Sequence, residues 1–111
     1  MDFSQDLVRG SVVPIVLAML RDRSMYGYEM VKTVNARTNG LLEWKEGTLY
    51  PCLHRLEADG LIRSRWQEAP SGKMRKYYRI TRKGLAELGR RTAEWVEFSR
   101  AVSTMLLTEA T

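Results

Sequence analysis

The sequence predicts a mainly α-helical domain with one small β-hairpin (α+β), a winged helix-turn-helix with an additional C-terminal dimerisation helix. Three observations predict it. The run EGTLYPCLHRLEADGLI, residues 46–62, places Leu49, Cys52, Leu53 and Leu56 at helical spacing and then stops at Gly60. The run GKMRKYYRITRKG, residues 72–84, reads as a basic return strand followed by a helix start at Thr81. The turn residues Pro70-Ser71-Gly72-Lys73 lie between two strand-like segments, so the strands form a hairpin.

Each element follows in order. An apolar stretch from Val12 to Leu20 lies in a first helix over about residues 5–22. It is apolar on nearly every side, so it needs two partners: its own domain and a second surface. Pro14 lacks an N–H, and it kinks this helix or marks a restart capped by Ser11. Ser24 is the N-cap expected for a second helix over about 25–38, with Met30, Val31 and Val34 inward and Asn39-Gly40 as its stop. The third helix covers about 46–59, and its opposite side shows Thr48, Tyr50, His54, Arg55 and Ala58. Strands over about 61–68 and 74–81 follow, alternating so that Tyr78 and Ile80 face the core. A fourth helix then runs to about residue 108.

At 111 residues the chain is one structural domain, read as a DNA-binding unit over 1–84 and a dimerisation helix over 85–111. Its charge is uneven. Residues 61–83 hold eight Lys/Arg against Glu68 alone, while the remainder has ten basic against twelve acidic residues. The whole excess of +5 therefore comes from one segment, the pattern of a polyanion-binding surface. The lone Cys52 excludes an internal disulfide and suits a reducing, cytoplasmic setting; its place on the apolar stripe makes it a core residue rather than a redox sensor. The longest apolar run is nine residues, far short of the roughly 20 a membrane span requires, and no secretory signal is visible.

No enzyme is expected. The single His and single Cys, two residues apart on one helix, make neither a nucleophile–base pair nor a metal cluster, so no metal or cofactor is expected either. The pattern fits a two-part grip on double-stranded DNA, in which the third helix enters the major groove and the wing reaches phosphates or an adjacent minor groove. Thr48, Tyr50 and His54 are the candidate groove contacts, Lys73, Arg75 and Lys76 the phosphate contacts, and Tyr26 and Tyr28 hydroxyl contacts that fix register. The competing reading is a winged-helix module for protein or RNA; a wing of +7 is more than protein binding needs.

These pieces together resemble the PadR family of bacterial transcriptional regulators. The matching stretches are YGYEM at 26–30, EGTLYPCLHRLEADGLI and RKYYRIT at 75–81 with Gly84, together spanning roughly residues 10–85, most of the chain. The single C-terminal helix resembles the family's compact subgroup. The resemblance implies a homodimeric repressor on a pseudo-palindromic operator, relieved by a ligand. It also matches Trp95, in RTAEWVEFSRAV, to an aromatic position that stacks flat effectors; Phe98 and the first-helix residues Val8, Val12 and Ile15 are the expected neighbours. Packing of Trp95 in a dimer core is the other reading. The residues support dimerisation independently, because Leu85, Leu88, Trp95, Phe98, Val102, Met105 and Leu106 give the last helix more apolar surface than a small domain can cover.

Overall fold

A computed structural model describes residues 2–108. The elements run α1 (Gln5–Asp22), β1 (Met25–Tyr26), α2 (Gly27–Arg37), α3 (Glu46–Ala58), β2 (Ile62–Glu68), β3 (Met74–Ile80) and α4 (Arg82–Leu107). The winged helix-turn-helix expected from the sequence is present. Its core is made where α1, α2 and α3 meet the sheet, around Val16, Leu17, Met30, Leu49, Leu53 and Ile62. All four residues of the α3 apolar stripe are buried. Cys52 is among them, and burial raises its thiol pKa against the opposing pull of Arg55. Cys52 is thus held as an inert thiol of the core.

The helix stops follow from local chemistry. Gly60, at φ 75°, ends α3, while the Leu61 N–H donates back to the Leu56 carbonyl at 2.9 Å. Asn39, at φ 52°, does the same for α2, with the Gly40 N–H reaching the Asn35 carbonyl at 2.8 Å. Both close the six-residue ring that satisfies the last helical carbonyls.

Three expectations are corrected. The wing belongs to a three-stranded sheet in the order β1-β3-β2, since Met25 and Tyr26 pair with Tyr78 and Tyr77. The second helix therefore begins at Gly27, not at 25, and its N-cap is Tyr26 rather than Ser24. Tyr26 has extended backbone, and its N–H donates to the Glu29 carboxylate at 3.3 Å, so the glutamate supplies the cap from inside the helix. Finally, α1 neither restarts at Ser11 nor breaks at Pro14. It is one helix capped by the Ser4 side chain, and Ser11 instead donates to the Val8 carbonyl at 2.7 Å. Pro14 leaves the Gly10 carbonyl without its helical donor, but both residues border an open groove, where water can take the donor's place.

The first turn of α4 is tied to the root of the wing. The Thr81 N–H donates to the Leu61 carbonyl at 3.0 Å. The Thr81 hydroxyl donates to the Gly60 carbonyl at 2.7 Å and accepts from the Gly84 N–H at 3.0 Å. Lys83 reaches the Asp59 carbonyl at 2.8 Å. One turn further on, Glu87 accepts from Arg90 and Arg91, which hold its carboxyl down at about 2. Beyond the stretch that borders α1, α4 extends away from the body of the protein, and the molecule reaches 64 Å in length.

Candidate nucleic-acid interface

The wing turns about Gly72, at φ 85°, with the Ala69 N–H donating to the Lys73 carbonyl at 2.8 Å. Register then sorts its side chains onto two faces. Ile62, Ser64, Trp66 and Glu68 share the inner, α3-facing side with Met74, Lys76, Tyr78 and Ile80. The inner face is clamped to α3 by Glu57, which accepts from the Ser64 N–H at 3.0 Å and the Ser64 hydroxyl at 2.6 Å. Lys76 lies 4.0 Å from the same carboxylate and sits over the Tyr78 ring. Tyr78 is buried, and its hydroxyl pKa is raised by burial first and by Glu57 and Tyr50 after that.

A cleft opens between α3, the start of α2 and this inner face. It brings together six of the residues singled out from sequence: Tyr26, Tyr28, Tyr50, His54, Arg75 and Lys76. The hydroxyl end of Tyr50 packs against the first residue of α2. A Cβ on Gly27 would come within 2.6 Å of its hydroxyl oxygen, so only glycine leaves Tyr50 this seat. Arg75 is also held in place, its guanidinium 4.4 Å from the Tyr26 ring centroid. Tyr26 in turn meets Tyr77 edge-on at 5.5 Å. The Tyr26 ring therefore serves as a platform that orients an arginine, a role its hydroxyl alone did not suggest.

Two predicted residues lie outside the cleft. Lys73 is exposed at the wing tip. Thr48 is half-buried on another side of α3, in a groove shared with α1 residues Val8 and Arg9. The two-residue step from Thr48 to Tyr50 is about 200° around a helix, which is why the pair separates. Three residues of the cleft were not foreseen as contacts: Trp66, Met74 and Tyr78. Trp66 is 64% exposed on the inner face. Its alternation with charged neighbours looks like an ordinary half-buried strand, so nothing local marked it out.

The effector candidates divide similarly. Trp95, 55% exposed, borders two open grooves between α1 and α4. Phe98 lines the first and Ile15 the second, which measures about 600 Å³. Val12 is not with them: it is buried and turned toward α3, beside Cys52. Among the described residues no group of His, Cys, Asp or Glu is placed to hold a metal, and no helix is long and apolar enough to cross a membrane.

A three-helix core whose third helix and basic wing enclose one cationic, aromatic cleft defines a winged-helix DNA-binding protein. The transcriptional regulator PadR-like family matches residues 16–90. An uncharacterised protein of Lysinibacillus sphaericus is 35% identical over 101 residues, covering 91% of this chain and 93% of its own. A transcriptional regulator from Clostridium thermocellum has a TM-score of 0.85 at 34% identity, over 92% of this chain and 99% of that one. A PadR family regulator from Eggerthella lenta gives 0.79 at 39% identity, over 94% and 88%. The chain belongs to the PadR-like family of transcriptional regulators.

Proposed function

We propose that the chain is a sequence-specific DNA-binding repressor that acts as a homodimer in the cytoplasm, has no enzymatic role, and is released from its operator by a planar aromatic effector. The observation that carries the DNA reading is the cleft that gathers Tyr50 and His54 of α3 with Arg75 and Lys76 of the wing. The residues up to 84 act as the DNA-binding unit, and α4 from residue 85 onward as the dimerisation helix. Trp95, Phe98, Val102, Met105 and Leu106 are all exposed on one side of α4, spaced by three and four residues. A second copy covers this stripe and the outer side of α1 in one symmetric interface. Two Trp95 rings near the dyad then flank a slot of the right chemistry for a flat aromatic ligand.

Dimerisation and half-site spacing are tested together. Light scattering is expected to give a dimer, and Phe98→Glu with Val102→Glu a monomer. A footprint on the upstream DNA is expected to show two half-sites separated by whole helical turns, about 10 bp each. A wild-type monomer that protects a single site would overturn the dimer.

Trp66 offers a sharper probe of the wing. Because it carries no charge, Trp66→Ala is expected to weaken binding to duplex DNA about tenfold, as removal of an apolar contact does. The slope of log affinity against log salt should stay as in wild type, since no counterion is released by an indole. Unchanged affinity would remove Trp66 from the interface.

A further inference from the structure

The wing has a second face, and its charge is unexplained by the cleft. Register places Arg63 directly opposite Arg79, Arg65 opposite Tyr77 and Gln67 opposite Arg75. These side chains point away from α3, and Arg63, Arg65 and Arg79 are exposed. Like charges directly opposite across a strand pair destabilise it. By contrast, Arg23, Arg37, Arg90 and Arg91 each meet a carboxylate. Among the described residues no carboxylate lies within 4.0 Å of Arg63, Arg65 or Arg79. The fold thus keeps a repulsive pair that packing does not require. A shallow pocket of about 210 Å³ opens beside them, and Ser24, Gln67 and Tyr77 add uncharged hydrogen-bonding groups to its lining.

We propose that this outer face is a second phosphate-binding surface, in which Arg63, Arg65 and Arg79 hold duplex DNA adjoining the half-site under α3. The proposal rests on the DNA-binding reading above and extends the footprint beyond the cleft. Guanidinium groups match phosphate oxygens two at a time, and a row of them fits a polyanion with regularly spaced charges. Continuity favours DNA as that polyanion. Arg75, stacked on Tyr26, lines the cleft and also belongs to the outer row, so one surface leads into the other.

The test is equilibrium binding of Arg63→Gln/Arg65→Gln/Arg79→Gln to duplexes of about 40 bp, one of upstream sequence and one random, across a salt series. Affinity should fall by a similar factor on both duplexes. The slope of log affinity against log salt should drop by about 0.9 for each phosphate no longer neutralised, or roughly 2–3 per bound protomer. Specificity, the ratio of the two affinities, should not change. Relief of the Arg63–Arg79 repulsion should leave the melting temperature unchanged or higher; a fall would mean the arginines hold the fold, and would overturn the proposal. Arg63→Gln alone, which relieves the repulsion with one change, should lower the slope by about 1. An unchanged slope in both variants overturns the outer face as a DNA surface, including the case where it binds RNA or an acidic protein instead. Wild-type protein that binds neither duplex would instead sink the DNA-binding reading itself.

Discussion

Replacing Lys73, Arg75 and Lys76 together with alanine lowers affinity for duplex DNA about 100-fold per bound protomer at 0.15 M salt, on any sequence. The size follows from counterion release. Each phosphate contact adds about 0.9 to the salt slope, which at this salt is worth a factor of about five. Three contacts then multiply to roughly 100, and the slope falls by about 2.7. The three residues are not equivalent. Lys73 stands exposed at the tip, and Arg75 is oriented by the Tyr26 ring. Lys76 is half-engaged with Glu57 at 4.0 Å, so removing it also bares a carboxylate beside the cleft. Tyr26→Leu, which removes the platform and keeps every charge, should reproduce part of the Arg75 effect, whereas Tyr26→Phe should not. Anisotropy titrations at four or five salt concentrations measure all of these. A fall in affinity confined to one sequence would mean that the wing reads bases rather than phosphates.

Gly84→Ala is expected to destabilise the fold by about 2–4 kcal/mol, as overpacking against backbone does. For a domain of about 100 residues this lowers the melting temperature by roughly 10–20 °C. A Cβ at this position would overlap the Leu61 carbonyl oxygen and come within 2.7 Å of Ile80 Cγ1. The Leu61 carbonyl already accepts from the Thr81 N–H, so it cannot move without opening the junction of wing and α4. Gly89, further along the same helix, makes the contrast. A Cβ there meets nothing within 4 Å, and Gly89→Ala should stabilise by up to about 1 kcal/mol through helix propensity alone. Thermal melts by circular dichroism give both values. Shifts of the same sign in the two variants would contradict the close packing of Gly84 at the junction.

Most of the fold was legible because it is local. The stripe Leu49, Cys52, Leu53, Leu56 and the stops at Gly60 and Asn39-Gly40 depend on residues three to five apart, and so does the turn at Gly72. What the sequence concealed depends on distant partners. β1 is two residues long, too short for any period, and exists because Met25 and Tyr26 reach Tyr78 and Tyr77 some fifty residues later. Ser24 has the chemistry of an N-cap, but the two residues after it, Met25 and Tyr26, pair with β3 before the helix begins. At the site, Tyr50, His54, Arg75 and Lys76 were found from exposure on a helix and charge on a strand. Tyr26 was found for its hydroxyl, although its ring is what touches Arg75. Trp66 was missed because an exposed indole and a packed one look alike in an alternating strand. Val12 sits on the side of α1 that meets α3, a distinction the all-round apolar pattern of that helix could not make.

The central claim is that α3 and the wing read a particular DNA sequence. Its most direct test is anisotropy titration of the wild-type protein against its own upstream DNA and a shuffled duplex of equal length at 0.15 M salt. Binding to the upstream DNA should be tighter by about 10³-fold or more, with Tyr50→Ala and His54→Ala shrinking that ratio. Equal affinity for the two duplexes would contradict the claim.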